Sequence, residues 1–173
     1  GAAPGAPRAA GAGPWPPEEM MSLAWTLAKL EARDLRLLRA VAKEAVAQAA
    51  DFSPKALSCI AWAFATLVVG DTELFQALAR EASLKLGDFV LDDLMQIVWA
   101  CATLDVGQRD FLLAAQGEVA GRLARLQPAG DPPEYLTELS ITTMAIMWAC
   151  SFAGLLDAGA LEQARALLLR IAR

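Results

Sequence analysis

The chain of 173 residues contains no histidine, a single tyrosine and only three cysteines. Without histidine it lacks the side chain that most often binds metals and that most often serves as a general base near neutral pH. Cys59, Cys101 and Cys150 form neither a CxxC pair nor a zinc-ligand spacing, so we interpret them as reduced core residues of an intracellular protein. No activated nucleophile or phosphate-binding loop is recognisable, and we expect no catalysis, cofactor, metal site or small-molecule substrate.

Positive charge is also scarce. Fifteen lysines and arginines face twenty acidic residues, which gives a net charge of -5. Domains that bind nucleic acid through bulk electrostatics are usually basic. Any contact with RNA must therefore use a local patch of the surface.

Charged residues are nearly missing from residues 1–17, where Arg8 is the only one. This Gly/Ala/Pro-rich composition cannot bury enough apolar surface to order itself, so we predict a disordered tail or linker there. Its lack of acidic residues is also weakly typical of the end of a transit peptide. Residues 18–173 are predicted to form the folded domain.

Long uncharged runs are rare. Residues 139–156 form a run of eighteen residues without a charge, which has to be considered as a candidate membrane-spanning helix. That length is at the lower limit for a spanning helix. Four hydroxyl residues lie within it, and it carries the same tryptophan pattern as shorter segments. We therefore predict a buried repeat helix that is broken near Gly154, rather than a membrane span.

What the chain has in abundance is alanine and leucine, which favour helix, together with an internal repeat. Trp25, Trp62 and Trp99 are spaced by 37 residues. The sequence predicts an all-α fold, specifically an α-solenoid of three to four stacked antiparallel helix hairpins. The predicted units cover residues 18–50, 51–87 and 88–126, followed by a loop at 127–138 and a divergent unit at 139–173.

Within the second unit, Ser53 and Pro54 are suited to begin a first helix, helix A, that Gly70 would stop. Asp71 would cap a second helix, helix B. In this interpretation the tryptophan of each helix A is a wedge buried between hairpins. A platform on which nucleic-acid bases stack is the alternative use of tryptophans at this spacing.

The segments "AWAFATL", "DFSPKALS" and "LFQALAREASLKLGDF" resemble the heptatricopeptide repeats, relatives of the octotricopeptide repeats. Proteins of this kind abound in the organelles of algae, dinoflagellates and apicomplexans, often beside a RAP domain. The resemblance implies a non-catalytic module in a mitochondrion or plastid that binds single-stranded RNA. It would act in RNA processing, stability, translation or ribosomal RNA organisation. The alternatives are a protein-binding scaffold and a subunit of a large organellar complex such as a ribosome.

Two sets of side chains are the predicted contacts with RNA. A polar stripe follows helix A of each unit, where one side chain three residues before each tryptophan could read one base per repeat, although an ordinary solvated face explains the stripe equally well. Its members are Ser22, Thr26, Lys29, Lys55, Cys59, Thr66, Gln96 and Thr103. Basic residues on helix B would form a phosphate-binding ridge, or would simply complement the helix dipole. The ridge consists of Lys43, Arg80, Lys85 and Arg122. In the divergent unit the stripe becomes apolar at Ile141 and Phe152, which predicts a covered end.

Overall fold

The structure is a computed structural model that describes residues 14–106, 109–127, 130–156 and 158–171. Within these ranges the chain forms α-helices and two short 3-10 turns, with no β-strand, so the predicted all-α class is confirmed. Most of the predicted tail, residues 1–13, lies outside them. The helices are α1 Pro17–Lys29, α2 Leu35–Gln48, α3 Pro54–Thr66, α4 Thr72–Leu84, α5 Leu91–Leu104, α6 Arg109–Ala124, α7 Pro133–Phe152 and α8 Ala158–Ile171. The 3-10 turns are Ala49–Asp51 and Leu86–Asp88.

The starts of α3 and α4 follow from local chemistry. The Ser53 hydroxyl accepts a hydrogen bond from the backbone N–H of Ala56 at 3.2 Å, and Pro54 occupies the first turn of α3. The Asp71 carboxylate accepts one from the N–H of Leu74 at 2.9 Å. Both groups satisfy N–H donors that a helix start leaves without partners. The two predicted caps are confirmed.

The end of α3 differs from the prediction. The helix ends at Thr66, and Val68, rather than Gly70, adopts the left-handed conformation with φ 53°. The N–H of Val69 then donates to the Phe64 carbonyl at 2.9 Å, which closes the helix end. A β-branched residue at positive φ is strained, so the sequence predicted that the nearby glycine, Gly70, would end the helix. Glu31 and Asp105, each 37 residues away, have φ values of 52° and 49°.

The helices form two sets of neighbours. The odd-numbered helices α1, α3, α5 and α7 contact one another in chain order, and α2, α4 and α6 do the same. Each even-numbered helix follows an odd-numbered one after a short turn and contacts it, and the most extensive contacts are those between successive odd-numbered helices. This arrangement leaves one long side of each odd-numbered helix free to face outward.

The aromatic side chains that fill the core belong to the turns and helices near the tryptophans. Phe52 and Phe89, 37 residues apart, follow the two 3-10 turns and are 1% and 2% exposed. Phe64 and Phe75 are buried as well.

Cys101 and Cys150 are buried free thiols, and burial raises the pKa of Cys101 to about 12, whereas Cys59 is only partly buried. The prediction of reduced core cysteines thus holds for two of the three.

The prediction that tryptophans are buried wedges is wrong for Trp25 and Trp99, whereas Trp62 packs against the core. Trp25 is 48% exposed and Trp99 36%, while Trp62 is partly buried. In α1 and α3 the fully buried residue at this point is the preceding alanine, Ala24 or Ala61. One residue turns a helix by about 100°, so the tryptophan that follows lies at the edge of the packed face and reaches solvent.

Residues 139–152 of the uncharged segment lie in α7, and residues 153–156 follow the helix. This helix begins at Pro133, inside the loop predicted for residues 127–138, because proline suits the first turn of a helix. It ends at Phe152 and is followed by Gly154 at φ 66°, which confirms the predicted break. Among the residues the structure describes, no helix is long and apolar enough to cross a membrane.

Candidate nucleic-acid interface

Each odd-numbered helix carries one partly exposed tryptophan. These residues, hereafter the tryptophan row, are Trp25, Trp62, Trp99 and Trp148. The Lys29 ammonium lies over two of the rings, 5.6 Å from the centroid of Trp25 and 5.5 Å from that of Trp62. These distances suit cation–π attraction, so Lys29 bridges the first two positions of the row. Partly exposed aromatic faces beside a cation form a surface that could stack bases.

The predicted polar stripe lies on the same side of these helices. The residue three positions before each tryptophan is its neighbour on the helix surface. At this position Ser22 is exposed, whereas Cys59 and Gln96 are partly buried. Gln96 donates to the Asp92 carboxylate at 3.2 Å, and the Cys59 sulfur lies 4.0 Å from the Met21 carbonyl oxygen.

The other stripe residues divide by exposure. Thr26 is partly buried and donates to the Ser22 carbonyl at 2.7 Å. The remaining residues, which are all exposed, are Lys29, Lys55, Thr66 and Thr103. The structure thus brings the stripe and the tryptophan row together on one surface.

The predicted phosphate ridge is divided into two pairs. Lys85 is partly buried, and its ammonium donates to the Ala50 and Phe52 carbonyls at 2.7 Å each. Arg122 donates to the Leu86 carbonyl at 3.1 Å, and its Nε lies 2.7 Å from a Glu118 carboxylate oxygen. Lys85 therefore binds the 3-10 turn that precedes the α3–α4 hairpin, and Arg122 binds the one that precedes the α5–α6 hairpin. Sequence reasoning missed this role because a carbonyl 35 residues away leaves no local pattern.

The second pair stays at the surface. Lys43 is exposed, and Arg80 is exposed with its Nε 3.3 Å from the Glu81 carboxylate. The Glu81 side chain is buried, whereas that of Arg80 is exposed, so the guanidinium stays open to solvent on one side. Of the four ridge residues, these two keep a charge that a phosphate could reach.

Acidic residues lie in the first turns of α1, α5 and α7, where they complement the helix dipole, whereas the first turn of α3 has none. These residues are Glu18, Glu19, Asp92, Asp93 and Glu134. Asp93 differs from the others because it is partly buried against α3. Desolvation raises the pKa of its carboxyl, as does the nearby Asp92, while a hydrogen bond with Ser58 and the charge of Lys55 lower it in part. The surface beside the tryptophan row is therefore acidic at one end.

Replacing Asp93 by asparagine is expected to raise the melting temperature near neutral pH. The pKa of this carboxyl is raised in the folded state, so its contribution to stability is present at acid pH and is lost as the pH rises through the raised pKa. Asparagine has nearly the same shape without the desolvated charge, and its amide can donate to the Ser58 oxygen, whose own hydrogen is donated to the Lys55 carbonyl at 3.0 Å. Thermal unfolding at several pH values should show a gain at about pH 7 that disappears at about pH 3.

Glu134 supplies the matched control for that experiment. It is exposed in the first turn of α7, where a negative charge interacts favourably with the helix dipole. Glu134→Gln should leave the melting temperature near neutral pH unchanged or slightly lower. If Asp93→Asn instead lowered the melting temperature near neutral pH, as Glu134→Gln is expected to do at most slightly, Asp93 would not be a desolvated carboxylate.

No protein-family model matches the chain, and no curated protein matches it.

Proposed function

We propose that this chain is a non-catalytic module that binds single-stranded RNA along the tryptophan row. The observation that carries the proposal is the partial exposure of one tryptophan on each odd-numbered helix, with Lys29 between the first two. Stacking of a base on an aromatic side chain contributes about 1–3 kcal/mol and tolerates any sequence. Polar side chains three residues before Trp25 and Trp99 would add base preference.

We further propose an α-solenoid built on the 37-residue step. Three features recur at that spacing and support the proposal. Left-handed residues end α1, α3 and α5, and buried Phe52 and Phe89 follow the 3-10 turns. Lys85 and Arg122 donate to carbonyls of those turns. A solenoid would present the tryptophan row as a continuous surface.

The cellular setting follows from the resemblance to heptatricopeptide repeats. We propose an organellar protein that acts in RNA processing, stability or translation, or as a subunit of a large complex such as a ribosome. The net charge of -5 makes general attraction to RNA weak. Few repeats and few free cations predict micromolar affinity for the isolated chain.

A protein-binding scaffold is the second candidate, because the starts of α1, α5 and α7 carry carboxylates beside exposed aromatic rings. Such a surface suits a basic peptide with apolar side chains. The two candidates differ in what they require of the tryptophans. Base stacking needs open ring faces, whereas a peptide would depend on the carboxylates as well.

Titration of a fluorescent random-sequence RNA tests the proposal. Trp25→Ala and Trp99→Ala should each weaken binding about 5- to 150-fold, which corresponds to the stacking energy of one base. Lys29→Gln should reduce the slope of log affinity against log salt by about 0.7, if the ammonium contacts a phosphate. Gln96→Ala should change base preference and leave that slope unchanged.

Leu30→Ala is the control variant, because Leu30 is a 71% exposed apolar residue at the end of α1 and lies outside the row. Its affinity for RNA should equal that of the native chain. If neither tryptophan variant alters binding, the row is not the RNA site. If Glu18→Gln and Asp92→Asn abolish binding of a lysine-rich peptide while RNA does not bind, the scaffold candidate is correct.

A further inference from the structure

Positive charge is concentrated in the first hairpin. Five of the fifteen lysines and arginines lie within residues 29–43, and all five are exposed. They follow one another at intervals of three or four residues, from the last turn of α1 through the connecting turn and into α2. These side chains, hereafter the cationic track, are Lys29, Arg33, Arg36, Arg39 and Lys43. A chain of net charge -5 therefore has one local surface of the opposite sign.

Three of the five cations share one face of α2. Arg39 and Lys43 follow Arg36 by three and seven residues, which places all three within about 60° around the helix axis and about 10 Å along it. The exposed residues beside them are Ala40 and Ala47, so no carboxylate interrupts this face. Within the part of the chain that the structure describes, none of the three cations forms a salt bridge.

Helix stability does not explain these positions. Arg36 lies in the first turn of α2, where the helix dipole disfavours positive charge. Arg39 and Lys43 are four residues apart, and like charges at that spacing repel each other. The Asp34 carboxylate before the helix accepts hydrogen bonds from the backbone N–H groups of Arg36 and Leu37, at 3.0 and 3.1 Å. An anion bound on this face of α2 would relieve both unfavourable interactions.

The cationic track is not part of the 37-residue pattern. One spacing later the five positions are Thr66, Gly70, Glu73, Gln76 and Arg80, and two spacings later they are Thr103, Gly107, Asp110, Leu113 and Gly117. Residues that pack the fold recur, such as buried Phe52 and Phe89, whereas four of the five cations do not. At the other end of the chain the sequence predicted a covered end, but Ile141 and Phe152 are 47% and 75% exposed and apolar. The track is therefore confined to the first hairpin, and packing does not require it.

The cationic track begins at the tryptophan row. The Lys29 ammonium lies 5.6 Å from the Trp25 ring centroid and 5.5 Å from that of Trp62. Four residues later, the Arg33 guanidinium donates to the Val68 carbonyl at 3.1 Å, so it lies at the edge where α1 and α3 both end. A guanidinium has five N–H donors, which leaves others for a ligand. A strand that passes the first two rings can thus follow consecutive cations onto α2.

We propose that the cationic track binds the phosphates of a single-stranded RNA whose neighbouring bases stack on Trp25 and Trp62, an inference that rests on the proposed function. Charge complementarity favours this occupant, because a guanidinium donates two parallel hydrogen bonds to phosphate oxygens. Residues 29–43 contain no aromatic ring, so the contact there is with the backbone and is independent of base sequence. An acidic peptide matches the charge but does not use the adjoining ring faces, whereas RNA uses both.

The length of the RNA separates the two contacts. An RNA of about 4 nucleotides covers only the first rings, whereas one of about 16 also reaches α2. Each phosphate contact with a single strand changes the slope of log affinity against log salt by about -0.7, so the three cations of α2 should make the slope of the longer RNA steeper by about 2. The slope, unlike the affinity, does not depend on the number of positions at which a longer RNA can bind.

Fluorescence anisotropy with oligouridine RNAs of about 4 and 16 nucleotides tests the track. The native chain should show the steeper slope with the longer RNA. A variant that combines Arg36→Gln, Arg39→Gln and Lys43→Gln should give the same slope for both RNAs and keep the native affinity for the shorter one. Glutamine favours helix and removes the repulsion on α2, so this variant should keep the native helix content and melt at an equal or higher temperature.

The matched control combines Arg109→Gln, Arg125→Gln and Arg165→Gln, which removes the same charge from exposed positions outside the first hairpin. It should keep the native difference in slope between the two RNAs. If the α2 variant also keeps that difference, the track does not bind phosphates and the proposal is overturned.

Trp25→Ala distinguishes failure of the track from failure of the row. It should weaken binding of both RNAs by the same factor and leave the difference in slope intact. If it left both affinities unchanged, the row would fail as the stacking surface, whatever the α2 variant shows. If a glutamate-rich peptide bound through the three cations of α2 while neither RNA bound, the occupant would be an acidic protein segment and both RNA proposals would be wrong.

Discussion

Phe89→Ala is expected to lower the free energy of unfolding by about 3–5 kcal/mol, the usual cost of truncating a fully buried phenylalanine. Phe89 is 2% exposed and follows the 3-10 turn Leu86–Asp88, where it closes the space between consecutive hairpins. Removing the ring leaves a cavity that the rigid backbone of the turn cannot fill. Urea denaturation followed by circular dichroism measures the loss.

Trp99→Ala provides the comparison, because Trp99 is 36% exposed and lies on the neighbouring helix α5. Its truncation should cost only about 1–2 kcal/mol, since part of the ring already contacts water in the folded state. The order of the two losses is the informative result. If Trp99→Ala were the more damaging change, the tryptophans would be core residues and the row would not be a binding surface.

Lys85→Met is expected to cost about 2–3 kcal/mol, although it keeps most of the aliphatic stem. The ammonium of Lys85 donates to two carbonyls, those of Ala50 and Phe52, at 2.7 Å each. Hydrogen bonds from a charged donor contribute about 1.5–3 kcal/mol, and methionine cannot replace them. Denaturation of the variant should show a lower midpoint, with the turn Ala49–Asp51 losing protection from hydrogen exchange first.

Lys43→Met is the control for this change, since Lys43 is a fellow member of the predicted phosphate ridge but is exposed. It should leave stability within about 0.5 kcal/mol of the native chain. The opposite pattern is equally informative. If Lys85→Met kept full stability and weakened RNA binding, the ridge predicted from the sequence would be correct.

Much of the local structure was predictable because it depends on neighbours in the sequence. Ser53, Pro54 and Asp71 mark helix starts through hydrogen bonds and backbone preferences that act within three residues. The alternation of helices followed from the apolar spacing in the same way. The helix end at Val68 was not predictable, because a valine accepts left-handed strain only where the surrounding packing imposes it.

The exposure of the tryptophans could not be predicted from the sequence pattern. A residue next to a buried alanine is within one helical step of the core, and only the position of the neighbouring helix decides how much of its ring is covered. In α3 the ring of Trp62 is partly covered, whereas that of Trp25 in α1 is about half exposed. The exposed members of the polar stripe, such as Ser22 and Lys55, lie farther from that boundary. The position of Lys29 over two rings could not be predicted, because it depends on the separation of α1 and α3.

Quenching of tryptophan fluorescence by iodide, with and without single-stranded RNA, tests the central claim most directly. In the free chain, the partly exposed rings of the tryptophan row should be accessible to iodide. Saturating RNA at low salt should shield them, and the shielding should disappear as salt releases the RNA. Tryptophans that are inaccessible in the free chain, or that stay equally accessible when RNA is bound, would contradict the account.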